Sequence, residues 1–335
     1  MIVNYEHSYV EPFLRLVPSV IVGKHRIRAV FDKLRVRPIE ETFHEFLIAI
    51  VQWTFGEPWW KRQVGMPKTE RHVVVRWWFD FNNLRQKRIG EVKEGPGGPI
   101  YSANATGNIW SLLLFGWDLY CLQTKNMLPD FLREKLRDHK SFQAARYEIA
   151  VAAVIARAGF EIDFLDEAGV QEKHCEFIAK HRDHITQLGI EAKSRIRPGV
   201  LNEPGDFNYT GDWKGMRKLI RSAKKQKPPD LAFLIFIDVN LPLTPGIPPL
   251  QKPWLVDLQK ALAILGEPST KNPDPFNALI PTNFARYFLD ASVESPPLEF
   301  GFVLSGFPQT SLPNHEVLNA IWDSLDRYGK IPDDI

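Results

Sequence analysis

The succession of hydrophobic periods between residues 141 and 240 constrains the fold more than any other feature of this chain. Residues 141–158 carry apolar side chains at helical spacing and are closed by Gly159, whose tolerance of positive φ suits a helix C-terminus. Three short β-patterned runs follow at 160–165, 174–179 and 188–195, the first two separated by the turn cluster Asp166 to Gly169. A loop rich in Asn, Gly, Pro and Asp then leads to a basic helix at about 214–226 and a strongly apolar strand at 231–239. The order is α-β-β-β-α-β.

The remainder is organised around this segment. From residue 24 to about 138 the pattern is helical, and residues 39–53 place Phe43, Phe46, Leu47, Ile50 and Val51 on one stripe, with Pro38 where a helix begins. Further helices are expected at 70–88, 108–123 and 131–137, separated by the Gly/Pro-rich stretch 95–99 and by residues 126–129. Residues 1–138 thus read as an all-α N-terminal module and 139–335 as a second domain. Seven of the ten tryptophans (Trp53, Trp59, Trp60, Trp77, Trp78, Trp110 and Trp117) fall in the first module, where pairs at helical spacing mean core packing rather than base stacking. Beyond residue 241 the chain is proline-rich, with a helix near 256–265, a loop at 266–275, a strand at 298–304 and a final helix around 316–328. This part is expected to pack back on the second domain, and no internal repeat is visible.

A length of 335 residues at 44% hydrophobic content supports a substantial buried core, and a net charge of +2 neither demands nor excludes a polyanionic partner. Local charge must carry any such argument. Cys121 and Cys175 form no C-x-x-C pair and read as free thiols of a reducing compartment. Near the N-terminus Glu6, Glu11 and Arg15 interrupt the apolar character, which argues against a secretory signal. The apolar runs 110–115 and 231–237 fall well short of the ~18 residues of a membrane span, so a cytoplasmic protein with no membrane partner is expected.

The chemistry-bearing residues lie in the β-patterned runs. Alternation along a strand sends Ile190 and Ala192 to one face and Glu191 and Lys193 together to the other. On the preceding run Cys175, Phe177 and Ala179 form an apolar face with Glu176 opposite, and a hairpin through 180–187 brings Glu176 beside Glu191. Adjacent carboxylates repel unless a proton or cation sits between them, and an all-oxygen site suits Mg²⁺ or Mn²⁺. Such an ion polarises a phosphodiester oxygen and acidifies a water, with Lys193 orienting or deprotonating that water and steadying the negative charge that develops. Glu148 belongs with them: its neighbours at helical spacing, Ala144, Ala145, Val151 and Ala152, cannot pair with its charge.

The helix with Glu148, then Cys175-Glu176-Phe177, then Glu191-Ala192-Lys193, resembles the PD-(D/E)XK nuclease superfamily over about residues 141–240. The resemblance implies a restriction-endonuclease-like core with the α-β-β-β-α-β order, and a metal-dependent deoxyribonuclease. Glu176 and Glu191 then correspond to the family's carboxylates, Lys193 to its lysine and Glu148 to its helix glutamate. This chain has Cys175 where the family has proline and Glu176 where it has aspartate, which lengthens that ligand by one methylene.

Lys214, Arg217, Lys218, Arg221, Lys224 and Lys225 line one side of the basic helix and Met216, Leu219, Ile220 and Ala223 the other. Two readings stand: a track for nucleic-acid phosphates, or a solvated helix face. His174, Cys175, His181 and His184 have no common zinc spacing, and Asp206, Asn208 and Asp212 read as surface loop. The expected partner is DNA, with RNA not excluded, and a symmetric dimer is the simplest way to cut both strands of a duplex. Two rival functions stand beside the nuclease: an inactive nuclease-like fold that binds nucleic acid or protein, and a helical module that recruits a protein partner, which an exposed Trp59 and Trp60 patch would favour.

Overall fold

A computed structural model of the chain describes residues 14, 16–165, 174–201, 203–289 and 298–334. The turn cluster Asp166 to Gly169 and the N-terminal residues Glu6, Glu11 and Arg15 lie outside the described residues. The chain divides into two compact units. The first comprises residues 1–137 together with 286–295 and 329–335, and the second comprises 138–285 and 296–328. The division near residue 138 coincides with the change of pattern, but two C-terminal segments expected in the second domain belong to the first unit.

The first unit is not all-helical. Its described residues include an antiparallel sheet of β1 (Val20–Val22), β2 (His25–Val30) and β3 (Lys33–Pro38). Pro38 therefore ends a strand instead of opening a helix. The helix α1 (Phe43–Phe55) starts at a capping box, in which Thr42 Oγ1 accepts from Glu45 N–H at 3.2 Å and Glu45 Oε2 accepts from Thr42 N–H at 2.9 Å. After it come α2 (Glu57–Gly65), α3 (Val73–Lys87), the hairpin β4 (Glu91–Gly95) and β5 (Gly98–Ser102), α4 (Gly107–Thr124) and α5 (Asp130–Arg137). The stretch 95–99 is thus the tip of a hairpin rather than a bare loop. The short strands escaped the sequence reading because β2 turns Arg26 and Arg28 inward, which hides the usual alternation. Arg28 lies over the rings of Phe43 and Phe46 and donates to Asp334 at 2.7 Å. Trp59 and Trp60 are each only 7% exposed, so they supply no surface patch, and Trp77 stacks on Tyr287 from the returning segment.

The second unit is built on α6 (Phe142–Arg157), β6 (Phe160–Phe164), β7 (Phe177–His181), β8 (Gln187–Ser194), α7 (Trp213–Lys224) and β9 (Ala232–Asp238). The sequence order α-β-β-β-α-β is thus the observed order of elements. Gly159, at φ +99°, lets the chain leave α6 and enter β6 at once. The unit continues with α8 (Pro253–Leu265), β10 (Ala278–Asn283), β11 (Glu299–Phe300), β12 (Val303–Leu304) and α9 (Glu316–Asp326). The expected strand at 298–304 is two short strands, and β10 was not foreseen.

Among the described residues these strands form one mixed seven-stranded sheet in the order β11-β10-β9-β8-β7-β6, with β12 also on β10. β8, β9 and β10 run parallel, and every residue of β9 is buried, as befits a central strand covered on both faces. Helix α6 is buried on nearly every side and touches β8, β6 and α9. Against the other face pack α7 and α8, whose Met216, Ile220, Trp254 and Leu258 join Phe233, Ile235 and Ile237 in one apolar cluster. The unit is of the mixed α+β class. Both cysteines are free and buried, and no helix among the described residues is long and apolar enough to cross a membrane.

Candidate active site

The site forms where two strands part. The antiparallel ladder of β7 and β8 runs from Lys180↔Gln187 to Phe177↔Ile190, whereas β8 continues on its other edge with β9 as far as Ser194↔Asp238. Residues 191–194 have therefore lost their β7 neighbour. The last tie across the fork is the Glu176 N–H, donating to Ile190 O at 3.0 Å, and one further step of the register sets Glu176 beside Glu191.

Asp183 ties together the far end of the hairpin. Its Oδ1 accepts from the N–H groups of Ile185 and Thr186 at 2.9 and 2.8 Å, while Oδ2 accepts from Thr186 Oγ1 at 2.9 Å. These bonds hold its carboxyl below the usual carboxylate range, and His184 takes the left-handed turn position at φ +60°. A one-residue slip would carry Glu176 to the opposite face.

Lys193 draws the fork together. Its Nζ donates to Glu176 Oε1 at 3.3 Å and makes a closer ion pair with Glu191 Oε1. The Glu191 side chain is 0% exposed, and the described residues offer its Oε2 no donor. Burial, then the neighbouring Glu176 and more weakly Glu148, push the Glu191 carboxyl well above the ordinary range, against the pull of Lys193. For Lys193 burial acts against the charged form, but Glu191 and Glu176 outweigh it and hold the ammonium above its usual value. The lysine is therefore charged.

Cys175 does not share the face of Phe177 and Ala179. The chain bends at Glu176, and Cys175 packs into the cluster beneath α7, on the same side as Ile178. Burial, with Glu191 nearby, pushes its thiol up to about 12, so it stays protonated. His181 and His184 lie at the hairpin turn, and His174 hydrogen-bonds the Cys175 carbonyl.

Glu148 is buried on α6, near enough for its charge to act on Glu191. Among the described residues, however, no three His, Cys, Asp or Glu side chains are grouped closely enough to hold a metal ion. Glu176 and Glu191 share one ammonium. A donorless buried Oε2 beside a second carboxylate is nonetheless a donor set of hard oxygens, which fits Mg²⁺ or Mn²⁺ with Glu191 and Glu176 as ligands.

The sequence reading missed the polar groups that fix the end of β8. Ser194 Oγ donates to Asp238 Oδ2 at 3.2 Å, and Gln143 and Asn240 both donate to Arg195 O, at 2.9 and 2.8 Å. Burial pushes the Asp238 carboxyl up to about 6, with Arg146 opposing most strongly. The signal was present: Asp238 is the one charge in the apolar run 231–239.

Helix α7 begins beside this strand end. Asp212 pairs with Arg195 and Arg197, and Gly215 leaves room for the Arg195 guanidinium, which a Cβ would meet at 2.4 Å. Asp212 is thus an anchor, not a loose surface-loop residue. Lys214, Lys218, Arg221 and Lys225 are exposed, whereas Arg217 lies over the Trp213 ring and Lys224 donates to Asp274 at 2.8 Å. Lys224 therefore leaves the expected basic track. Met216, Ile220 and Ala223 are buried on the opposite side. No family model, curated protein or solved structure matches the chain.

Proposed function

We propose that the chain is a divalent-metal-dependent nuclease of the PD-(D/E)XK type, with a restriction-endonuclease-like core and DNA phosphodiesters as substrate. The observation that carries this reading is the Lys193, Glu191 and Glu176 cluster at the fork of β7 and β8. Glu191 and Glu176 would hold the Mg²⁺ or Mn²⁺. When bound, the ion supplies charge to polarise a phosphodiester oxygen and to lower the pKa of a water. Because its ammonium is held charged, Lys193 serves as hydrogen-bond donor and counter-charge to the phosphoryl oxygens rather than as base. The exposed cations of α7, tethered beside the strand end through Asp212 and Arg195, offer a track for the phosphate backbone.

A second reading is supported by the exposed Lys214, Lys218, Arg221 and Lys225 of α7: a nuclease-like fold that binds nucleic acid through α7 without cutting it. Cleavage assays on supercoiled, linear and single-stranded DNA and on RNA, with Mg²⁺, Mn²⁺ or EDTA, separate the two. Metal-dependent cutting that Lys193→Ala and Glu191→Ala both abolish is the expected outcome. Salt-sensitive binding without cutting under either metal would establish the second reading.

A further inference from the structure

We infer that Lys193 is a built-in counter-ion for the carboxylate pair, and that a divalent cation reaches Glu191 and Glu176 only by displacing its ammonium. The inference rests on the metal-dependent reading above and concerns the binding step that precedes any reaction.

Two carboxyl groups side by side, one of them wholly buried, repel once both are ionised, and then need a positive charge between them. Among the described residues Lys193 supplies it, since its ammonium is paired with both Glu176 and Glu191. The order of exposure is informative. The Glu191 side chain is 0% exposed, that of Glu176 13% and that of Lys193 21%, so the lysine stands between the buried carboxylate and water. It lies two residues from Glu191 on the same strand face, and its flexible stem can swing the ammonium aside without movement of the main chain. Glu191 Oε2, with no donor among the described residues, then has a partner in the incoming ion.

An ammonium and a divalent cation cannot both lie against the same two carboxylates without strong repulsion. Lys193 therefore competes with the metal that its neighbours bind. Removing its charge must raise metal affinity, the opposite of what is expected of a lysine that is indifferent to the ion or helps to retain it.

Calorimetric titration of the full chain with MnCl₂ tests this in wild type, Lys193→Met and Glu191→Gln. We expect Lys193→Met to bind Mn²⁺ about tenfold more tightly or better, the order of one close charge-charge contact, and Glu191→Gln to lose binding. Equal or weaker binding by Lys193→Met, with wild type binding Mn²⁺, overturns the counter-ion role and leaves the nuclease reading standing. Absence of Mn²⁺ binding in both proteins overturns the two together. Because Lys193→Met strips a buried carboxylate of its counter-charge and can unfold the chain in chelator, a second measurement uses wild type alone. Reductive methylation of the Lys193 amine, followed by peptide mass spectrometry, is expected to be several-fold faster in Mn²⁺ than in EDTA. An unchanged or slower rate refutes displacement.

Discussion

Lys193, on β8, and Glu176, just before β7, are 17 residues apart in sequence, yet Nζ and Oε1 stand 3.3 Å apart. Everything between them, the hairpin turn included, serves to close that distance.

The raised Glu191 carboxyl makes the stability of the metal-free protein fall as pH rises. In the window above the ordinary carboxylate range the folded chain still holds the Glu191 proton while the unfolded chain has released it. The unfolded state binds fewer protons there, so stability declines as pH rises through the folded-state value of about 8. Thermal melts in EDTA between about pH 6.5 and 9 should show the decline in wild type, and Glu191→Gln should flatten it. An identical slope in both proteins would show that Glu191 does not hold the proton.

Asp238 contributes with the same sign at lower pH. Its carboxyl titrates near 3.8 when unfolded and about 6 when folded, so stability is lost as pH rises through that interval. Asp238→Asn should remove this component. Asp238→Ala should cost about 1–3 kcal/mol in urea denaturation at any pH, because the Ser194 hydroxyl and the Asn240 N–H lose their acceptor.

Replacing Asp183 by alanine removes three accepted hydrogen bonds from the hairpin. The expected loss is roughly 1–2 kcal/mol, partly offset by water at this accessible turn. If the turn fixes the register, cleavage should fall further than stability does. A variant as active as wild type would show that the strands find their register without it.

On α7 the exposed and the engaged cations should separate in a salt titration of DNA binding. Lys218→Ala and Arg221→Ala should each lower the slope of log K against log salt by about one. Lys224→Ala should leave the slope unchanged and weaken the fold instead, since its ammonium is held by Asp274. Equal effects from all three would mean that the helix contributes only diffuse charge.

The sequence made the second unit legible because its elements carry clean periods. Gly159 marks the end of α6, β9 is uniformly apolar, and α7 divides sharply into two faces. Alternation along β8 was enough to place Glu191 and Lys193 together, and Asp183 lies in the hairpin that brings Glu176 to them. What escaped notice depended on long-range partners. Arg26 and Arg28 face inward on β2 because Asp334, some 300 positions later, meets them there, and no local window contains that pairing. The bend that turns Cys175 away from Phe177 was equally hidden, because it follows from β7 leaving β8 at Glu176.

The chain enters each unit more than once: residues 286–295 and 329–335 return to the first after the long excursion through the second. Arg28 finds Asp334, and Trp77 finds Tyr287, only because the polypeptide comes back. A break of the chain after residue 137 would therefore leave Arg28 and Trp77 on one product and Asp334 and Tyr287 on the other, so the first unit is complete only on a polypeptide that also carries the second.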